Sequence, residues 1–201
     1  MKCILNNQFL LVLLLIATIG CKTENKNAEI TGTTSTLVKK TLLKHTVLSD
    51  GHPVAVWEKK AENPKGLILF VHGRTWSGVP DFDLQVDGEN LSLMDGMVEQ
   101  GYTTFAIDLR GYGETPRDST QWATPNVASK DILNVLNWIY VQNDNSKVHL
   151  FGWSMGSTLS LLATQQNANK IASLTVFGYW QDLDYKIPES PSDIKLQKSI
   201  N

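Results

Sequence analysis

The chain has 201 residues, of which 42% are hydrophobic and 19% charged, and its formal net charge at pH 7 is −2. These values are typical of one globular domain that can bury a sizeable core. No cluster of Lys and Arg is interleaved with aromatic residues in the way that binds a phosphate backbone, so we expect no nucleic-acid partner.

The first 20 residues have the composition of an export signal. Lys2 precedes an apolar run from Phe9 to Ile19, which is shorter than the roughly 20 apolar residues that a membrane-spanning helix needs. Gly20 and Cys21 follow, and a small residue directly before such a cysteine resembles the processing site of bacterial lipoproteins, which prefers Leu where this chain has Thr18. The resemblance implies cleavage before Cys21 and a lipid on its sulfur. The alternative is an ordinary secretory signal with an incidental cysteine.

The segment after the signal is predicted to be a tether. Removal of residues 1–20 as a signal peptide would leave Cys21 alone, so no intrachain disulfide could form. Residues 21–36 are polar and have too little apolar surface to pack. We expect a protein of the bacterial cell envelope that is lipid-anchored to a membrane, on its periplasmic or surface side.

Residues 37–180 are predicted to form an α/β domain. Asp50-Gly51 is a strong hairpin signal between two leading antiparallel strands. The later apolar runs are typical of strands buried on both faces. The predicted strands are residues 37–48, 52–59, 66–71, 102–107, 148–151 and 171–177.

Helical patterns alternate with these strands. Residues 91–100 fit a helix that ends at Gly101, and residues 157–166 fit another. Between them, Thr124 and Pro125 form an N-cap and first turn. The apolar residues that follow repeat at intervals of three and four; they are Ile132, Val135, Leu136, Ile139 and Tyr140. Strands separated by helices predict right-handed crossovers and a mostly parallel sheet.

The sequence Gly152-Trp153-Ser154-Met155-Gly156 lies where a strand is predicted to turn into a helix. The two glycines leave space in such a turn, and the serine hydroxyl is then exposed at the carboxyl end of the sheet, where ligands bind in α/β folds. The amide of Met155 at the helix N-terminus can donate to an oxyanion. Ser154 is therefore the predicted nucleophile, and the alternative is a serine in an ordinary first turn of a helix.

Two further motifs follow the third and fourth predicted strands. His72-Gly73 comes directly after residues 66–71, and "DLRGYG" follows residues 102–107. With the serine motif, and in this order, they resemble the α/β-hydrolase family, most closely the branch of monoacylglycerol lipases, lysophospholipases and serine aminopeptidases. The resemblance covers residues 37–180.

The resemblance implies a fold, a reaction and residue roles. The fold would be an incomplete α/β-hydrolase fold, and the reaction would be acyl transfer to water from a small-molecule ester, lipid or peptide. The backbone amides of Arg74 and Met155 would bind the oxyanion. The remaining motif residues would be structural, with the base role a minor alternative for His72; they are His72, Gly73, Gly152, Gly156, Asp108, Arg110, Gly111 and Gly113.

The catalytic acid and base are not evident from the sequence. All four histidines precede Ser154, whereas the resemblance implies an acid and then a histidine after it. Asp182 or Asp184 is a weak candidate for the acid, and residues 181–201 resemble the start of a lid segment or a disordered tail. Without a base, Ser154 is a poor nucleophile, so we expect feeble hydrolysis by this chain alone.

Three hypotheses stay open from the sequence. The chain is a shortened copy of a lipid-anchored serine hydrolase, or a non-catalytic domain that binds a ligand at the same pocket, or half of a split enzyme whose partner chain completes the sheet and supplies the histidine. Trp76, Trp153 and Trp180 are candidates for lining the pocket, with core positions as the alternative. No metal-ligand spacing or cofactor-binding loop is present, so we expect neither a metal nor a cofactor.

Overall fold

The computed structural model describes residues 40–179. They form a mixed six-stranded sheet of β1 (Leu43–Ser49), β2 (His52–Lys59), β3 (Gly66–Val71), β4 (Tyr102–Ile107), β5 (Val148–Trp153) and β6 (Ile171–Phe177). The helices are α1 (Gly78–Phe82), α2 (Leu93–Glu99), α3 (Pro125–Gln142) and α4 (Met155–Gln166). No helix within this range is long and apolar enough to cross a membrane.

The strand order is β1-β2-β4-β3-β5-β6. β1 and β2 form an antiparallel hairpin, and β2 pairs antiparallel with β4. The four remaining strands are parallel to one another. The predicted fold, a mostly parallel sheet with two leading antiparallel strands and crossover helices, is confirmed.

Each face of the sheet is covered by different helices. On one face, α3 and α4 pack through Ile132, Leu136 and Leu159 against strand residues such as Leu69 and Leu150. On the other face, Phe82 of α1 and Met94 of α2 pack against β3 and β4. Apolar side chains on both faces of the central strands explain their continuous hydrophobic runs.

Several predicted boundaries differ from the structure. β1 begins at Leu43 and not at Leu37, and α2 begins at Leu93 and not at Leu91. β5 continues to Trp153 and α4 begins at Met155, so Ser154 alone separates the strand from the helix. The short helix α1 was not predicted, because its five residues are too few to show a periodic apolar pattern.

Several sequence predictions lie outside the described residues. They are the signal peptide 1–20, the tether 21–36, the lipidation of Cys21, the pocket role of Trp180, the acid role of Asp182 or Asp184, and the lid or tail at 181–201. These stay predictions.

Candidate active site

The turn between β5 and α4 holds Ser154 in an unusual backbone conformation. Its φ is 52° and its ψ is −117°. A side chain at positive φ in a sparsely populated region costs on the order of 1–3 kcal/mol and persists only where the surrounding structure holds it. The sharp turn places the serine at the carboxyl end of β5, ahead of the N-terminus of α4.

The two flanking glycines are required by close backbone approaches. A Cβ added to Gly152 would lie 2.4 Å from the carbonyl oxygen of Gly156. A Cβ added to Gly156 would lie 2.2 Å from the carbonyl oxygen of Val71 and 2.6 Å from that of His72. No side chain fits at either position, so α4 can start directly against the end of β3.

The loop after β3 lies beside the serine. A Cβ added to Gly73 would lie 3.3 Å from the Cβ of Ser154. The Gly73 amide donates to Asp81 Oδ2 at 3.0 Å, and the Gly73 carbonyl accepts from His72 Nδ1 at 2.7 Å. Both polar backbone groups of Gly73 are thus used within the loop.

The next amide along this loop is that of Arg74. Within residues 40–179, neither the Arg74 amide nor the Met155 amide donates to another backbone carbonyl. Both amides are therefore without a backbone acceptor in this part of the chain. The catalytic roles of Ser154, Arg74 and Met155 stay predictions.

His72 is fully buried, and both of its ring nitrogens are occupied. Nε2 accepts from the Leu109 amide at 3.1 Å, while Nδ1 donates to Gly73. Burial lowers the pKa of His72 below its ordinary value, which favours the neutral ring that this pairing requires. The geometry matches a residue that supports the loop and leaves no ring nitrogen for a proton transfer.

The other three histidines are engaged elsewhere. His45 bonds to Glu58 across the hairpin at 2.7 Å. His52 bonds to the carbonyl of Pro116 at 3.0 Å, and His149 to the hydroxyl of Ser173 at 2.8 Å. His149 lies at the amino end of β5, opposite to Ser154. Within the described residues, no histidine hydrogen-bonds to the Ser154 hydroxyl.

The turn after β4 is organised around the carboxylate of Asp108. This carboxylate accepts from the amide of Gly78 at 2.7 Å, from the indole of Trp57 at 2.9 Å and from the amide of Glu114 at 2.9 Å. A Cβ on Gly113 would collide with it at 2.3 Å. Asp108 thus connects the β4 turn to the start of α1, beside the loop that carries Gly73.

Arg110 and Gly111 belong to the same turn. The Arg110 guanidinium donates to the carboxylates of Asp131 and Asp118 at 2.6 Å and 3.0 Å, which ties the turn to α3. Gly111 has a φ of 78°, the left-handed region that favours glycine. Both positions are consistent with a structural role.

Asp81 was not singled out from the sequence. It lies on α1, eight positions after Gly73, and its carboxylate holds the Gly73 amide. Burial raises the pKa of Asp81 to about 6, against the opposing effect of the Gly73 hydrogen bond. No local pattern predicts this contact, because it depends on how α1 folds back onto the loop after β3.

The tryptophans predicted to line a pocket differ in exposure. Trp76 lies in the loop after β3 and is 55% exposed. Trp153 is partly buried and packs beside Gly73. A cleft of about 690 Å³ lies away from Ser154, between α1 and the segment before β1, and Lys59, Asp83 and Gln85 contribute to its wall. The structure does not place Ser154 in this cleft.

A family model described as the alpha/beta hydrolase fold matches residues 66–195. The chain belongs to the α/β-hydrolase family. The matched segment includes β3 to β6, the serine turn and the loop after β3. A search of curated proteins gives no match.

Solved hydrolase structures have a similar fold to this α/β-hydrolase chain. A CIB-like hydrolase from Thermoplasma acidophilum has 18% identity and a TM-score of 0.55, over 70% of this chain and 65% of that one. An esterase from Exiguobacterium antarcticum has 21% identity and a TM-score of 0.54, over 68% and 46%. An epoxide hydrolase from Vigna radiata has 24% identity and a TM-score of 0.54, over 67% and 38%.

The chain therefore spans less than two thirds of the length of each of these three structures. At these identities the likeness establishes the fold alone. Family membership supports a hydrolase.

Proposed function

We propose that the protein is a serine hydrolase in which Ser154 attacks the carbonyl carbon of an acyl substrate. The strained backbone of Ser154 carries the proposal. Its φ is 52°, and the glycines on either side cannot be replaced by residues with side chains. Such a turn presents the serine hydroxyl to a substrate, which accounts for the strain. An ester, a lipid or a peptide would serve as substrate. The lipase, lysophospholipase and aminopeptidase branch is the one whose motifs the chain resembles.

The proposed oxyanion site consists of two backbone amides. Attack would convert the substrate carbonyl oxygen into an oxyanion, which the amides of Arg74 and Met155 would bind. The Met155 amide has the added support of the N-terminus of α4, where the helix dipole favours negative charge. Preorganised amides of this kind are often worth about 100- to 1000-fold in rate each.

Within the described residues, no histidine is placed to accept the proton of the Ser154 hydroxyl. The four histidines are all engaged with other partners, and His72 has no free ring nitrogen. We therefore propose that this chain alone reacts slowly. A partner chain that contributes a histidine would raise the rate.

The location of the protein is a separate proposal. The apolar run before Cys21 supports a lipid anchor that holds the domain on a bacterial membrane, in the cell envelope. Expression in a bacterial host followed by mass spectrometry of the N-terminal peptide would test it. We expect a diacylglycerol adduct on Cys21 in the wild type and none in the Cys21→Ser variant.

The experiment for the hydrolase proposal is labelling of the purified full chain with a fluorophosphonate probe, with Ser154→Ala as the control. We expect slow labelling that the substitution abolishes. Labelling that persists in Ser154→Ala, or no labelling of a folded wild type after prolonged incubation, would contradict a reactive Ser154. The second outcome would favour a non-catalytic ligand-binding domain.

A further inference from the structure

A second serine on α4 makes contacts with the turn that holds Ser154. Ser157 is fully buried, and its hydroxyl lies 2.7 Å from the carbonyl oxygen of Gly152. The same hydroxyl lies 2.9 Å from the carbonyl oxygen of Phe177 and 3.2 Å from the Phe177 amide nitrogen. One side chain thus joins the end of β5, the end of β6 and the first turn of α4.

The chemistry of a hydroxyl group limits how these contacts are used. A serine hydroxyl has one proton and two lone pairs. It can donate to one of the two carbonyl oxygens at a time and accept from the Phe177 amide. Loss of the hydroxyl would leave the Phe177 amide without this acceptor and would remove the link between the ends of β5 and β6.

Phe177 also holds the backbone of Ser154 directly. The Ser154 amide donates to the Phe177 carbonyl oxygen at 2.9 Å. Ser157 and the Ser154 amide therefore meet at one peptide group of β6. Within the described residues, the Ser154 side chain makes no capping hydrogen bond of its own, so its strained conformation depends on such backbone contacts.

We propose that Ser157 is a positioning residue that holds Ser154 in its reactive conformation by fixing the end of β6 against the β5 to α4 turn. The inference rests on the proposed function, since it concerns the same nucleophile. It assigns to Ser157 a role in the reaction that acts through the backbone of Ser154, without contact to the substrate.

Ser160 supplies a matched control on the same helix. It lies one turn after Ser157 and is also fully buried, but its hydroxyl has no hydrogen-bond partner within residues 40–179. Ser160→Ala therefore removes the same atom from the same kind of environment without removing a hydrogen bond. We expect it to label like the wild type.

The first readout is the rate of fluorophosphonate labelling of the full chain, corrected for the folded fraction. We expect Ser157→Ala to lower the maximal inactivation rate about 10- to 100-fold, as misplacement of a nucleophile by about 1 Å does. The probe concentration that gives half the maximal rate should change little. If the wild type is labelled, equal maximal rates for folded Ser157→Ala and Ser160→Ala would overturn the proposal.

The second readout does not depend on reactivity. Amide hydrogen exchange followed by NMR should be faster at Ser154 and Phe177 in Ser157→Ala, with Leu162 in the middle of α4 unchanged. Ser160→Ala should leave all three amides as in the wild type. Unchanged exchange at Ser154 in Ser157→Ala would overturn the proposal, whatever the labelling shows.

The two readouts separate failure of this inference from failure of the proposed function. If the wild type is not labelled but exchange at Ser154 rises in Ser157→Ala, the hydrolase proposal fails and the role of Ser157 in holding Ser154 is supported. If Ser157→Ala does not fold, Ser157→Cys is measured instead, since the thiol is a weaker donor and acceptor. Ser157→Cys should then be labelled more slowly than the wild type, and its amide exchange at Ser154 should be faster. Wild-type values for both readouts would overturn the inference.

Discussion

Single residues decide the geometry of the serine turn. Ser154 adopts a positive φ, and the two glycines around it allow backbone segments to approach within distances that no Cβ could share. At the two glycines, even the methyl group of alanine would collide with neighbouring backbone atoms.

Gly156→Ala should destabilise the protein strongly. The added Cβ would lie 2.2 Å from the Val71 carbonyl, which is backbone and cannot rotate away. We expect the free energy of unfolding to fall by about 3 kcal/mol, the upper range for overpacking. Urea denaturation followed by tryptophan fluorescence would measure it.

Gly96→Ala is the matched control for this substitution. Gly96 lies inside α2, and a Cβ there meets nothing within 4 Å. Alanine should stabilise the helix by about 0.5–1 kcal/mol. Equal stabilities of the two variants would contradict the packing described at Gly156.

Asp81 makes the stability of the fold dependent on pH. Its pKa is raised to about 6 in the folded protein from an ordinary value of 3.8, so the folded state binds the proton more tightly. Its contribution is therefore favourable at low pH and is lost as the pH rises from about 4 to about 6. Neighbouring carboxylates have their own partners, Asp108 with Gly78 and Trp57, and Asp83 with Lys59.

Asp81→Asn should remove this dependence, because asparagine can still accept from the Gly73 amide but does not ionise. We expect the variant to be more stable than the wild type at pH 8 by about 1 kcal/mol, a small value because solvent screens the partly exposed carboxylate. The difference should shrink to zero by pH 4. Urea denaturation across this range, with the exposed Asp87→Asn as control, would check it; a difference that does not vary with pH would contradict the assignment to Asp81.

At the scale of elements, local capping signals determine where the longest helix begins. The Thr124 hydroxyl accepts from the Val127 amide at 3.3 Å, and Pro125 is the first residue of α3. Both features are visible in the sequence, because a cap involves residues three positions apart. The helix start was therefore predictable.

Thr124→Ala should lower the free energy of unfolding by about 1 kcal/mol, the usual value for loss of an N-cap side chain. Thr124→Ser keeps the hydroxyl and should retain most of the stability. Thermal or urea denaturation of the three proteins would measure the difference. Equal losses in both variants would show that the methyl group of Thr124, and not its hydroxyl, matters.

At the scale of the whole molecule, β6 is an edge strand within the described part of the chain. It pairs with β5 alone, and Phe177 and Val176 on it are 64% and 42% exposed. An exposed apolar edge is a site for association with another chain.

We expect the purified chain to self-associate in a concentration-dependent way. Val176→Lys should weaken the association about 10-fold or more, because edge lysines oppose strand pairing. Val141→Lys, at a 57% exposed position on α3, makes the same chemical change away from the edge and should have no effect. Sedimentation velocity would compare them; equal association of both variants would show that β6 is not the contact.

The sequence by itself determined the local structure and the family. Continuous apolar runs, the Asp50-Gly51 hairpin and the cap at Thr124 identify the elements, because these signals depend on neighbours a few residues apart. The motifs around Ser154, His72 and Asp108 are equally local, and the family model confirms the α/β-hydrolase resemblance that they indicated.

Only the tertiary structure decided the contacts between distant segments. The Leu109 amide at the His72 ring, the Asp81 carboxylate at Gly73 and the Phe177 peptide at Ser157 join segments separated by up to 37 positions. The placement of β4 between β2 and β3 is of the same kind. Such contacts have no periodicity or fixed spacing along the chain, since they form only when the strands assemble into one sheet and bring their carboxyl ends together.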